Sequence, residues 1–264
     1  MASSRGHSWV ALGLLLSFVA LAATANGDEL SPGYYEKTCP NVQRVVRSVM
    51  ASSVAAQPRM APAVLRLSST TASSTEKDVE PNASLTGYTV IDDIKSALEH
   101  DCPATVSCAD VIALASHDAV ALIGGPTWSV HLGRKDSRFA ANPESTENGL
   151  PSHNLAELVT MFSKLNLTPQ TCQDPSGKAP FDVQTPMRFD NAYYKNLITR
   201  RGLLTSDQTP YGGGGLQDNL VEMYSADGEA FARDFAKAMV KMGNVPPPMG
   251  MPVEVRLKCS MANY

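Results

Sequence analysis

Residues 101–137 read DCPATVSCADVIALASHDAVALIGGPTWSVHLGRKDS, and the organisation of the chain follows from this stretch. An apolar-rich run predicts a helix from Ser107 to Ile123, stopped by Gly124-Gly125-Pro126. Beyond the stop come a short strand signal at Trp128 to Leu132 and the charged run Gly133-Arg134-Lys135-Asp136-Ser137. Upstream, Val90, Ile91, Ile94 and Leu98 form one face of a helix over Thr89 to His100. Earlier still, Val42, Val45, Val46, Val49 and Val54 give a helix over Asn41 to Val54, with Asn41 as cap and Gln57-Pro58 as its end. A second helix begins at Pro58 and runs to Leu67, where it meets SSTTASST; Ser and Thr there compete for backbone hydrogen bonds and cut it off. Downstream, helical patterns cover Asn154 to Leu165, Asp190 to Arg200, Leu216 to Tyr224 and Glu229 to Met242, and the tail Val255 to Cys259 reads as loop. Strand signals are few, so the class is all-α.

The chain has 264 residues, 22 basic against 26 acidic side chains, and 43% apolar residues. That is enough apolar material for a core, which excludes intrinsic disorder, and the charge balance lacks the basic face of a nucleic-acid binder. The 18 Gly and 18 Pro follow no period, and there is no internal repeat. The N-terminus carries Arg5, an apolar stretch from Trp9 to Ala23 and the small-residue pattern Ala23-Thr24-Ala25. This predicts a secretory signal over residues 1–25, cleaved after Ala25, rather than a membrane anchor, for which the stretch is short. Residues 26–264 then form the mature domain in an oxidising compartment, where disulfides are expected and no membrane contact remains. Five cysteines leave the pairing open and one thiol over. Cys102 and Cys108 lack a Cys-x-x-Cys or paired His partner, which argues against zinc.

Several long phrases carry a resemblance. SPGYYEKTCPNV, DCPATVSCAD with IALASHDAVALIGGPTWSVHLGRKDS, TPMRFDNAYYKNLITRRGLLTSDQ, KAMVKMGNV and EVRLKCSMANY resemble the plant secretory (class III) haem peroxidases. The likeness falls in three blocks, about Leu30 to Leu67, Ser73 to Pro169 and Cys172 to Tyr264. It implies an all-α haem-peroxidase fold, here truncated internally. After Leu65-Arg66-Leu67 the family continues into a His-Asp-Cys-Phe motif that supplies the distal His, whereas this chain passes to Ser68-Ser69-Thr70. After Pro169 the family has a Gly-His-Thr stretch that supplies the iron ligand, whereas this chain passes to Thr171-Cys172. The histidines present are His7, His100, His117, His131 and His153, none in a matching motif, so each reads as a surface or loop histidine and no haem iron ligand is assigned.

The resemblance assigns the remaining roles residue by residue. Arg66 matches the arginine that stabilises developing charge on peroxide, but the general base beside it is missing, and an arginine cannot accept the proton. Asn82 matches the residue that orients the distal His, and also sits in a glycosylation sequon; Asn166 sits in a second. Asp207 matches the acceptor of the proximal imidazole proton, with a capping Asp as the plainer alternative. Pro151 matches the proline whose carbonyl meets aromatic substrates. Asp182, Thr185, Arg188 and Asp190 resemble the proximal calcium loop, short of one Thr, and Glu76 belongs to the depleted distal calcium site. The family pattern pairs Cys39 with Cys102 and Cys108 with Cys259, leaves Cys172 as a free thiol able to link two chains, and joins Asp110 to Arg134 as a buried ion pair. By resemblance the cofactors are haem b and calcium and the substrates are hydrogen peroxide and small phenolic donors. The location is extracellular, the state monomeric, and the reaction an oxidation tied to oxidative stress. With both haem-facing histidines missing, this chain is expected to be impaired or inactive. The alternatives are a haemless cell-wall binding protein or a non-productive splice form.

Overall fold

The computed structural model describes residues 30–69, 85–138, 182–203, 205–245 and 250–263. Among these residues the elements run α1 (Val42–Ala56), α2 (Met60–Ser69), α3 (Tyr88–Asp101), α4 (Cys108–Leu122), β1 (Asp136–Ser137), α5 (Ala192–Ile198), α6 (Thr205–Gln208), α7 (Leu216–Ala226), α8 (Gly228–Gly243) and β2 (Val253–Glu254).

Helix α4 is the centre of the first half, and α1, α2 and α3 all pack on it. The reason lies in its composition. Val111, Leu114, Ala115, Ser116, Ala119 and Val120 are all buried, so the helix is covered on more than one face and its neighbours close around it. The small Ala115, Ser116 and Ala119 let α2 approach, with the Ser116 hydroxyl 3.5 Å from the Val64 carbonyl. Val46 and Met50 of α1, Val64 and Leu67 of α2, and Ile94 and Leu98 of α3 complete the core. Burial of each such side chain contributes about 1.5–3 kcal/mol. Pro62 is the third residue of α2, where a missing N–H costs nothing to the helix ladder. Gly87 turns the chain into α3 with φ of +100°, and a Cβ there would press within 3.3 Å of Val64.

The second half is held by aromatic rings. Phe189 stacks on Phe231 at 5.0 Å, Phe235 meets Phe189 edge-on at 4.8 Å, and Tyr194 packs against both Phe231 and Tyr224. Asp227 caps α8 by accepting from the Glu229 and Ala230 N–H groups. Antiparallel pairing of β1 with β2, Asp136 opposite Glu254 and Ser137 opposite Val253, ties the C-terminal tail to the segment after α4.

Among the described residues the expected helices lie where periodicity placed them, each within a few residues of its bounds. The strand expected at Trp128 to Leu132 is corrected: only Leu132 makes a bridge, to Ser31, and the true strand falls later at Asp136–Ser137. Its partner Val253–Glu254 adjoins the loop-like tail, and α6 had no counterpart in the sequence pattern. The signal segment, the helix expected at Asn154 to Leu165, and Glu76, Asn82, Pro151, His153, Asn166 and Cys172 lie outside the described residues.

Candidate functional site

The most buried polar centre lies at the first turn of α4. Ser107 caps the helix, its hydroxyl accepting from the Asp110 N–H. The Asp110 carboxylate, with no exposed surface, accepts from the Tyr35 hydroxyl at 2.8 Å, the Gly133 N–H at 2.7 Å and the Arg134 guanidinium at 2.8 Å. Burial pushes this carboxyl above the ordinary aspartate range, and these same donors pull against it. Burial and the neighbouring Asp110 charge likewise raise the Tyr35 phenol. Arg134 reaches on to the Gly243 carbonyl at the end of α8, so the pair implied by resemblance also ties the two halves together.

Asp136, 6% exposed, plays a part the sequence pattern did not reveal. It accepts from the Cys108 and Ala109 N–H groups at 3.0 and 2.9 Å, a second cap on α4, and from the Arg256 N–H at 3.0 Å. Lys95 is equally hidden: its ammonium meets Glu99 and the Val106 carbonyl, each at 2.5 Å, and Glu99 in turn accepts from the Ala104 N–H. These contacts fix the loop between Cys102 and Cys108. Both bridges implied by resemblance are formed, Cys39–Cys102 and Cys108–Cys259, with Cα atoms 5.7 and 5.5 Å apart.

Arg66 lies in the last turn of α2 with its side chain exposed. The three described histidines are engaged elsewhere. His100 is exposed beside Asp101, His117 meets Asp118 at 3.1 Å with its ring edge-on to Trp128, and His131 meets Asn244 at 3.1 Å. An open cleft of about 470 Å³ between Pro126 and α8 is lined by Glu229, Ala232, Arg233, Ala236 and Lys237, with no histidine. Asp207 sits in α6, its backbone carbonyl accepting from the Tyr193 hydroxyl. Burial first, then the Asp207 charge, pushes the Tyr193 phenol up to about 12, and burial with Tyr224 raises Tyr194 to about 12.

Ahead of α5 the structure brings Asp182, Thr185 and Asp190 together. The Thr185 hydroxyl is 2.8 Å from one Asp182 oxygen and 2.9 Å from Asp190. Asp182 also accepts from the Gln184 N–H and from the Asn196 amide at 3.0 Å, while Asp190 accepts from the Ala192 N–H. Arg188 contributes backbone only, its N–H bonded to the Thr185 carbonyl, with its side chain exposed. Asn196 was missed by sequence reading. Its signal is a polar residue at a position of α5 that is 2% exposed.

Comparison with known proteins decides the lineage. The peroxidase family profile matches residues 46–172 and 169–227, two stretches that meet at 169–172. The chain belongs to the peroxidase family. It is 35% identical to peroxidase 22.3 of Oryza sativa subsp. japonica over 320 positions, spanning all of both chains. It is 35% identical to peroxidase 4 of Vitis vinifera over 316 positions, covering 96% of this chain and 97% of the relative. Against peroxidase 49 of Arabidopsis thaliana the figures are 34% over 330 positions, 98% and 99%. Each alignment is longer than the 264 residues available, so these relatives carry stretches with no counterpart in this peroxidase.

Proposed function

We propose that this plant peroxidase is a secreted protein whose lineage oxidises phenolic donors with hydrogen peroxide, and that its own turnover is impaired because both haem-facing histidines are missing. One observation carries the reading: the chain runs from Leu65-Arg66-Leu67 into a Ser/Thr tract and from Pro169 to Cys172 with no histidine in either place. The meeting of the two family matches at 169–172 supports the second gap. The exposed Arg66 and the engaged His100, His117 and His131 do not fit a haem held between a distal and a proximal helix. Arg66 alone offers charge stabilisation without a base, and loss of the base forfeits about 10²–10⁴ in rate.

Calcium fits better. Asp182, Thr185 and Asp190 supply hard oxygen donors on one loop, and a bound cation there would cross-link the segment 182–190. Asn82, Pro151, Glu76 and Asp207 keep the roles the family assigns them only as relics. Cys172 is the free thiol, and the mature chain, residues 26–264 after a 1–25 signal, is a monomer able to dimerise through it. No described helix is long and apolar enough to cross a membrane.

Haem titration of the purified mature chain, followed through the Soret band, tests the reading. Weak, non-saturating binding is expected. A sharp one-to-one titration would overturn it.

A further inference from the structure

Asn196 lies on α5, 2% exposed, with a side-chain oxygen that has no hydrogen-bond partner among the described residues. Its amide nitrogen donates to Asp182 at 3.0 Å. A buried amide that leaves its oxygen unsatisfied is unfavourable compared with an apolar side chain, so its placement is explained by the one bond its side chain makes to a carboxylate. That carboxylate belongs to an electron-rich cluster. Thr185 presents a single hydroxyl proton to two carboxylates, at 2.8 and 2.9 Å, so it donates to one and faces the other lone pair to lone pair. Among the described residues neither Asp182 nor Asp190 has a Lys or Arg partner within ion-pair distance.

We propose that Asn196 is the positioning residue of this cluster: by donating to one oxygen of Asp182 it turns the other toward Thr185 and Asp190, and so sets the affinity of the loop for a hard divalent cation. The inference rests on the calcium reading of that loop. Gln184 N–H binds the same oxygen of Asp182, 2.9 Å away, so backbone and side chain together fix the carboxylate plane. Asn196 therefore acts through Asp182 and is not itself a ligand.

The test is terbium emission sensitised by the tyrosines of α5, with calcium displacing terbium, on the full mature chain. Asn196→Ala is compared with Leu197→Ala, which removes a buried neighbour on the same helix that makes no side-chain hydrogen bond. Both are measured below their melting temperatures, read separately in chelator. Asn196→Ala is expected to weaken terbium and calcium at least tenfold, and Leu197→Ala less than threefold. Equal weakening of the two variants would make Asn196 merely structural and overturn the proposal. Wild-type binding with unchanged affinity in Asn196→Ala would overturn it while leaving the calcium reading intact. Wild type without sensitised emission would overturn both.

Discussion

Asp110, itself without exposure to solvent, meets the hydroxyl of a tyrosine 75 residues before it, a backbone N–H 23 residues after it and a guanidinium 24 residues after it. Removing one partner of such a set leaves the others desolvated and unpaired. Asp110→Ala should cost about 3–5 kcal/mol in urea unfolding, and a cost under about 1 kcal/mol would show the site to be far looser. The tyrosines predict an alkaline limb. Tyr193 and Tyr194 titrate near 12 in the fold against about 10 unfolded. A raised folded pKa gives stability that is complete below the unfolded value and is lost as pH climbs through the folded one. The denaturation midpoint should therefore stay level from these residues up to about pH 10 and fall between about 10 and 12; a steady midpoint across that window would contradict it. At this scale the sequence was partly legible. The Asp110–Arg134 pair came through resemblance, but Tyr35 and Asn196 did not, because a hydrogen bond to a residue distant in the chain leaves no local pattern.

Helix α4 shows how an element is fixed from its ends. Ser107 and Asp136 accept its first free N–H groups, one from the adjoining residue and one from the segment beyond the Gly124-Gly125-Pro126 stop. Asp136→Ala strips an acceptor from Cys108, Ala109 and Arg256 at once and should cost about 2–3 kcal/mol, against about 1 kcal/mol for Ser107→Ala. Thermal melts of the two variants would check the order, and the reverse order would discount the second cap. The long helices were readable because their apolar residues repeat with the helical period over three or more turns. The two-residue strands and the four-residue α6 were not, since neither is long enough to hold a period; β1 exists because Arg256 and the C-terminal tail pair with it.

The whole molecule is a peroxidase scaffold joined by covalent and polar ties across its halves. The Cys108–Cys259 bridge spans 151 residues and links the first turn of α4 to the tail. Replacing both cysteines by serine should cost about 2–5 kcal/mol in equilibrium unfolding, and no loss would mean that Arg134 and the β1–β2 pair suffice. Composition and periodicity gave the helical class, and the family phrases gave the lineage, but the candidate site was legible only in pieces. The proposed loss there rests on segments that the family phrases lead one to expect, and an absent residue has no periodicity to read. Peroxide-dependent oxidation of guaiacol, per mole of chain at saturating added haem and beside the rice relative, tests the loss of chemistry most directly. A rate lower by about 10²-fold or more is predicted; a rate within tenfold of the rice protein would contradict it.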